Sequence, residues 1–287
     1  MEPKSNNHTM SALIAGAIAG ALAKTTIAPL DRTKINFQVS DSRRYSFKSA
    51  MKFVKVTYRT QGFFALFRGN SATMARVVPY GSLLFAAHEK FNSLLEVDKN
   101  EKTPVKRVIA GSLAGVTATI LTYPLDTAKA RLSVYPKDKY ENLRAVFIKE
   151  YREKGILTFF RGMLPTIVGV IPYAGCSFFT YNTLKLLYSE DGTPLHPFVR
   201  FIFGGFAGAV GQTASYPLDI VRRRMQTGHV PPNQNILKTL YKIWKYEGFR
   251  RGLYKGLSMN WIKGPIAAGV SFTTFDYVFM LMKRLMG

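Results

Sequence analysis

Apolar and charged blocks alternate along this chain. Three stretches, Val108–Leu125, Met163–Asn182 and Phe201–Leu218, contain no charged residue. They are 18 to 20 residues long, close to what a helix needs to cross a bilayer core. Basic segments such as Lys137–Arg152 and Lys238–Arg251 separate the apolar blocks. Three further apolar blocks are interrupted by Lys24, Arg76 and Lys263, so a strict hydropathy rule is expected to miss them. A charge inside a membrane is costly and normally faces a water-filled cavity. The pattern predicts six transmembrane helices, because every backbone polar group in lipid must find its partner internally.

A repeat supports the interrupted spans. The tripeptide Pro-Leu-Asp begins at Pro29, Pro124 and Pro217, with separations of 95 and 93 residues. Thirteen and nine positions before each proline stand glycines: Gly16 and Gly20, Gly111 and Gly115, Gly204 and Gly208. A later landmark runs Gln61-Gly62 to Phe67-Arg68-Gly69, then Lys154-Gly155 to Phe160-Arg161-Gly162, then Glu247-Gly248 to Tyr254-Lys255-Gly256, with one extra residue in the last copy. We divide the chain into repeats 1–98, 99–191 and 192–287 on these landmarks.

Each repeat predicts an apolar helix whose Gly-x-x-x-Gly lets another helix approach closely. A proline follows that removes a backbone donor. A basic amphipathic stretch such as Phe47–Tyr58, suited to the membrane surface, comes next. A second helix, beginning after Arg/Lys-Gly, carries Pro79, Pro172 or Pro265. The expected fold is an all-α membrane protein: six transmembrane helices in three pseudo-threefold repeats, each with a short amphipathic helix, around a central pathway. An even number of spans places both termini on one side. The connectors richest in Lys and Arg then face the matrix or cytoplasm.

Composition narrows the function. The chain has 40 Lys and Arg against 17 Asp and Glu, a formal charge of +23. Such a balance fits nucleic acid or an anionic surface, but a nucleic-acid domain gathers its charge on one face of a soluble fold. The single cysteine, Cys176, excludes an intrachain disulfide and is read as a packing residue. The four histidines have no metal-ligand spacing, and no nucleophile–base pair supports an enzyme. Neither metal nor cofactor is expected. The tail before the first apolar run lacks a secretory or transit-peptide pattern, so any targeting signal is expected to be internal.

After each proline the chain reads Pro-x-Asp-x-x-Lys/Arg: Asp31 with Lys34, Asp126 with Lys129, Asp219 with Arg222. Charges at i and i+3 can pair within one helix, each worth less than about 1 kcal/mol at a surface. Three copies below membrane prolines fit better as a ring between helices: Asp31–Lys129, Asp126–Arg222 and Asp219–Lys34. Such a ring closes one end of the pathway and can be broken and remade.

These motifs resemble the mitochondrial carrier family of inner-membrane transporters over essentially the whole chain. The resemblance implies a six-helix bundle with alternating access, in which the ring closes the matrix side. Family members often brace this ring with a glutamine nine residues after the proline. Gln38 and Gln226 match, and Ser133 replaces the third. The family's cytoplasmic ring is reduced here. The positions read His88, Glu89 and Asn92, then Tyr181, Asn182 and Lys185, then Phe275, Asp276 and Phe279. Only Glu89–Lys185 remains as a complete pair, and Asp276 could at best hydrogen-bond Asn92.

Substrate choice in this family is set midway along the even helices, here at Arg76, Gly169 with Val170, and Lys263 with Gly264. An arginine, a glycine–aliphatic pair and a lysine resemble carriers of nucleotides. Two cations suit phosphates through charge-assisted bonds. The glycine leaves a recess for a purine, and Tyr173 is placed to stack on the base. Lys24 matches a substrate-binding lysine of the ADP/ATP carriers. The segment Arg222-Arg223-Arg224-Met225-Gln226-Thr227 departs from those carriers after its first methionine. The blocks Arg68–Met74, Val170–Gly175 and Gly252–Asp276 resemble the family's carriers of coenzyme A. This implies uptake of coenzyme A and adenosine 3′,5′-diphosphate in exchange for matrix adenine nucleotides, with inner-membrane lipid, cardiolipin above all, as a partner. Another adenine-nucleotide exchanger of the same fold, for ATP-Mg/phosphate or ADP/ATP, is the alternative.

Overall fold

The computed structural model describes residues 3–97, 103–188 and 196–286. Every regular element among them is helical. In order they are α1 (Pro3–Val39), α2 (Phe47–Gln61), α3 (Asn70–Leu94), α4 (Pro104–Val134), α5 (Leu143–Lys154), α6 (Met163–Tyr188), α7 (Pro197–Gln226), α8 (Ile236–Glu247) and α9 (Leu257–Met286). Long, short, long therefore recurs three times. Pro104 and Pro197 stand at the first positions of α4 and α7, where the missing N–H costs nothing. Asn142 caps α5, its side chain accepting from the Ala145 N–H at 2.9 Å.

The glycine landmarks are turns. Gly62, Gly155 and Gly248 end the short helices with φ of 82°, 70° and 85°, a left-handed backbone that other residues adopt only at a cost. A short 3-10 turn follows in the first two repeats, Phe63–Phe67 and Ile156–Phe160. In the third, Phe249–Leu253 forms a π turn. The wider π turn absorbs one additional residue, which accounts for the longer spacing in the last copy.

The helices run through Pro29, Pro124 and Pro217 without ending. Two expectations need correction. The Gly-x-x-x-Gly pairs are not close-approach sites. A Cβ built on Gly16, Gly20, Gly111, Gly115, Gly204 or Gly208 meets no neighbouring atom within 4 Å. The buried small residues stand one position earlier: Ala15 and Ala19 on α1, Ala110 and Ala114 on α4, and Ala207 on α7. On α7 the close approach falls at Gly211, whose Cβ would lie 2.7 Å from the Tyr173 carbonyl of α6.

The hydropathy of individual helices also differs from expectation. Three helical segments among the described residues are long and apolar enough to cross a membrane: 105–134, 156–188 and 249–284. The charge-free stretch of α7 is not among them, because Gly, Gln, Ser and Tyr dilute it. The segment containing Lys263 is, because one lysine among many aliphatic and aromatic residues leaves the average apolar.

The chain forms two compact units. The first comprises α1 up to Asn36, residues 47–159 and α9 from Ser258 onward. Here α3 packs against α4, and α5 folds back on α4. The second comprises residues 37–46 and 160–257, where α6 packs against α7. Its apolar core joins Tyr216, Ile220 and Val221 of α7 to Ile243 of α8 and to Leu253 and Leu257.

Candidate substrate site and gate

In the first unit, Asp31 lies at the proline level of α1 with both carboxylate oxygens engaged. Lys129 of α4 donates to Oδ2 at 2.9 Å, and Lys263 of α9 donates to Oδ1 at 2.8 Å. Asp31 thus meets Lys129 rather than Lys34, its neighbour on the same helix. It also takes a lysine that the sequence assigned to substrate. Arg76 on α3 is engaged in the same way. Its Nη1 is 3.7 Å from Asp126, its Nε donates to Thr122 Oγ1 at 3.2 Å, and its guanidinium lies 4.8 Å from the centre of the Tyr80 ring. Lys24, two turns before Asp31 on α1, is exposed and within electrostatic reach of Asp31, Lys129, Lys263 and Arg76. Four cations therefore surround two carboxylates. Gly264, next to Lys263, is exposed.

A small cavity with room for about one water molecule opens beside Asp31. Lys24, Asp31, Lys129, Asn70 and Ser133 contribute to its wall. Ser133 does not reach the aspartate; its Oγ donates to the carbonyl of Lys129 at 2.8 Å.

In the second unit Gln38 does reach one. Its Nε2 donates to Asp219 Oδ2 at 3.0 Å and lies 3.2 Å from the Tyr216 hydroxyl. The Tyr216 hydroxyl donates in turn to the Lys255 carbonyl at 2.7 Å. Arg223 lies 4.0 Å from Asp219, one turn along α7. Gln226 is buried and accepts from Arg223 at 2.9 Å. Lys34 is buried, and Arg222 is half-buried. On α6, Val170 and Tyr173 are exposed and Gly169 is half-buried. A Cβ on Gly169 would come 3.7 Å from Leu218, so the recess there is floored by α7. Of the second ring, Glu89 on α3, Asp276 on α9 and Lys185 on α6 are all exposed. Phe275 and Phe279 stack on one another, with ring centres 5.7 Å apart.

Sequence reasoning passed over several buried charges. Arg32 is buried and donates to the Ser133 carbonyl at 3.2 Å, to Gln61 Oε1 at 3.1 Å and to the Ala65 carbonyl. Arg131 on α4 pairs with Glu150 on α5 and donates to Thr158 Oγ1 at 2.8 Å, while the Tyr140 hydroxyl also donates to Glu150. In the second unit Arg224 pairs with Glu247 and lies 2.9 Å from Asp41. Arg131 and Arg224 both stand seven residues after their prolines, a repeated position that could have revealed them.

Burial pushes the Glu150 carboxyl up, but the Tyr140 hydrogen bond and the charges of Arg131 and Lys154 outweigh it and leave it below the usual range. Burial, then the Glu150 hydrogen bond, push the Tyr140 hydroxyl up.

Repeated helix pairs, proline-level aspartates and lysines drawn onto one carboxylate from different helices describe a membrane carrier of charged solutes. The chain belongs to the mitochondrial carrier family: the family "Mitochondrial carrier protein" matches residues 5–99, 100–192 and 193–285. It is 54% identical to the "Mitochondrial coenzyme A transporter SLC25A42" of Homo sapiens, over 98% of this chain and 91% of the relative. Against the Xenopus tropicalis protein of the same name the identity is 53%, over 98% and 88%. It is 40% identical to "Solute carrier family 25 member 16" of Mus musculus, over 96% of this chain and 88% of that protein.

Proposed function

We propose that this carrier resides in the mitochondrial inner membrane. There it imports coenzyme A and adenosine 3′,5′-diphosphate in exchange for matrix adenine nucleotides, by alternating access. The observation that carries the reading is the cation cluster of the first unit. Lys24, Arg76, Lys129 and Lys263 outnumber Asp31 and Asp126, an excess that suits a solute with several phosphates. Coenzyme A is such a solute, with a pyrophosphate and a 3′-phosphate, and the names of the SLC25A42 relatives point the same way.

Arg76 and Lys263 are the phosphate contacts in this reading, and Lys24 draws anions in. Gly169, Val170, Tyr173 and Gly264 receive the rest of the substrate. Asp31–Lys129, Asp126–Arg222 and Asp219–Lys34, braced by Gln38 and Gln226, close the matrix side. Glu89, Lys185 and Asp276 form the sparser cytoplasmic closure. Cardiolipin accompanies the short basic helices, and the repeats run 1–98, 99–191 and 192–287.

Liposomes containing the purified protein and preloaded with adenine nucleotide test the assignment. Coenzyme A uptake is expected to exceed uptake of its 3′-dephosphorylated form. Equal uptake of the two, or uptake of ATP alone, overturns it in favour of another nucleotide exchanger.

A further inference from the structure

Arg76 is the one cation of the cluster with a planar head, and its surroundings aim that head. Its Nε donates to Thr122 Oγ1 of α4 at 3.2 Å, and its guanidinium stands over the Tyr80 ring, 4.8 Å from the ring centre. Thr122 is 2% exposed, and its hydroxyl donates to the Ala118 carbonyl, one turn earlier on α4, at 2.7 Å. A hydroxyl has a single proton, and this one is engaged. Toward Arg76 the oxygen can only accept, which suits a guanidinium, a group that only donates. The same oxygen cannot donate to a phosphate, so Thr122 serves the arginine and not the substrate. With Nε engaged, the edge left for an anion is the one formed by Nη1 and Nη2. Nη1 lies 3.7 Å from Asp126, longer than a hydrogen bond, and 28% of the side chain is open to solvent.

The internal repeats show that this setting belongs to the arginine. Thr122 stands two residues before Pro124, and Ile27 and Ser215 stand two residues before Pro29 and Pro217. Ile27 has no acceptor to offer, and the Ser215 hydroxyl donates within its own helix, to the Gln212 carbonyl at 3.3 Å. Tyr80 follows Pro79 as Tyr173 follows Pro172, and Ala267 stands at the matching place four residues after Lys263. Only in the first repeat does the aromatic residue have an arginine one turn before it.

We propose that Thr122 and Tyr80 are positioning residues for substrate binding. Together they hold the Arg76 guanidinium in one orientation and present its Nη1–Nη2 edge to a phosphate. This rests on the reading of Arg76 as a phosphate contact and names the residues that make the contact directional. A phosphate takes two parallel N–H bonds from such an edge. An orientation fixed in advance avoids the rotamer freedom that a long side chain otherwise loses on binding. A lysine at position 76 has no planar fork and no Nε–H for Thr122, so the two cations are not interchangeable there.

The test measures equilibrium binding of adenosine 3′,5′-diphosphate, coenzyme A, ATP and inorganic pyrophosphate to the full chain in detergent, with a melting temperature for every variant. Thr122→Val keeps the shape of the side chain and loses the acceptor, and Tyr80→Leu loses the ring. Each is expected to weaken binding of the anion that the unmodified protein holds best by roughly three- to tenfold. Thr122→Ser and Tyr80→Phe, which keep the acceptor and the ring, are expected to restore most of the affinity. Because Thr122 acts through Arg76, adding Thr122→Val to Arg76→Lys is expected to change affinity by less than about twofold. Thr122→Ala replaces Thr122→Val in each comparison if the valine variant does not fold.

Unmodified affinity in a folded Thr122→Val or Tyr80→Leu, or a Thr122→Val loss that is as large in the Arg76→Lys background, overturns the positioning role and leaves the carrier assignment standing. Coupling of Thr122 to Arg76 seen with ATP, in a protein that does not bind coenzyme A, leaves the positioning role standing and removes the substrate assignment. Binding of none of the four anions by the unmodified protein overturns both.

Discussion

Glu150→Gln offers the sharpest stability test, because it strikes a buried ion pair between two helices. Arg131 and Glu150 are 1% and 2% exposed. Besides Glu150, Arg131 has Thr158 at 2.8 Å, and the Tyr140 hydroxyl donates to the same carboxylate. The substitution keeps the side chain's size and an acceptor for Tyr140. It removes the charge and turns the oxygen that faces Arg131 and Lys154 into an N–H donor, leaving a buried guanidinium without this counter-ion. Breaking one half of a buried ion pair costs about 3–5 kcal/mol. For a chain of this size each kcal/mol lowers the melting temperature by about 2 °C, so a loss of roughly 6–10 °C is expected in thermal unfolding of detergent-purified protein.

The third repeat supplies a rescue. Its carboxylate, Glu247, stands immediately before Gly248, where the second repeat has Lys154 before Gly155. Adding Lys154→Glu to Glu150→Gln moves the charge one helical turn to the place where Glu247 meets Arg224. At least half the lost stability is expected to return. The pH dependence follows in sign. The folded Glu150 carboxyl lies below its ordinary range, so its contribution is complete above the unfolded value and fades as pH falls through the lowered one. The unmodified protein is therefore expected to lose more melting temperature on acidification than Glu150→Gln. A melting temperature unchanged by Glu150→Gln, or no rescue from Lys154→Glu in a folded double variant, refutes the assignment of this pair.

The remaining predictions concern transport and packing. Arg76→Ala and Lys263→Ala each remove a charge-assisted contact worth about 1.5–3 kcal/mol. Each is expected to weaken substrate affinity roughly ten- to hundredfold in equilibrium binding, with Tyr173→Ala costing less; wild-type affinity in either cation variant removes that residue from the site. Ser133→Gln introduces at the Asp31–Lys129 pair the kind of brace that Gln38 provides to Asp219 at 3.0 Å. A higher melting temperature and slower exchange are expected, whereas a lower melting temperature would mean that the cavity is too small for the amide. Gly211→Ala places a methyl 2.7 Å from the Tyr173 carbonyl, and overpacking of this kind costs about 1–3 kcal/mol. Gly208→Ala meets nothing within 4 Å and is expected to leave the melting temperature unchanged.

What could be read from the sequence was what repeats at a fixed distance. Three proline motifs located the long helices, whereas Gly62, Gly155 and Gly248 served only as repeat landmarks and proved to be turns. The extra residue in the last landmark was visible, but its accommodation as a π turn at Phe249–Leu253 was not. The close-approach residues were misassigned because Ala15 and Gly16 are adjacent and both small. Only the rotation of the helix decides which of the two is covered. Arg131 and Glu150 were missed because their meeting depends on α5 folding back against α4, which no spacing expresses. The pairing of Lys263 with Asp31 was beyond sequence logic for a related reason. The two positions were assigned to different tasks, and a pattern that names roles does not say that one side chain serves both.

That overlap has an energetic consequence for a carrier, which must release what it binds. Four uncompensated cations would hold a multiply charged phosphate compound tightly on one side and release it slowly on the other. Counter-ions already in place change the process from capture to exchange. If Lys263 and Arg76 receive substrate phosphates as proposed, a phosphate that takes Lys263 gains the new contact less the one to Asp31, and likewise for Arg76 and Asp126. Both cations are partly solvated, so the desolvation penalty of forming the new pair is also partial. The net affinity is then a difference between similar terms, and modest affinity in both directions is what a reversible exchanger requires. The same difference is returned when the product leaves and the lysine goes back to its aspartate. On this reasoning Asp31→Asn should tighten substrate binding while slowing turnover, a combination that a purely structural role for Asp31 does not produce.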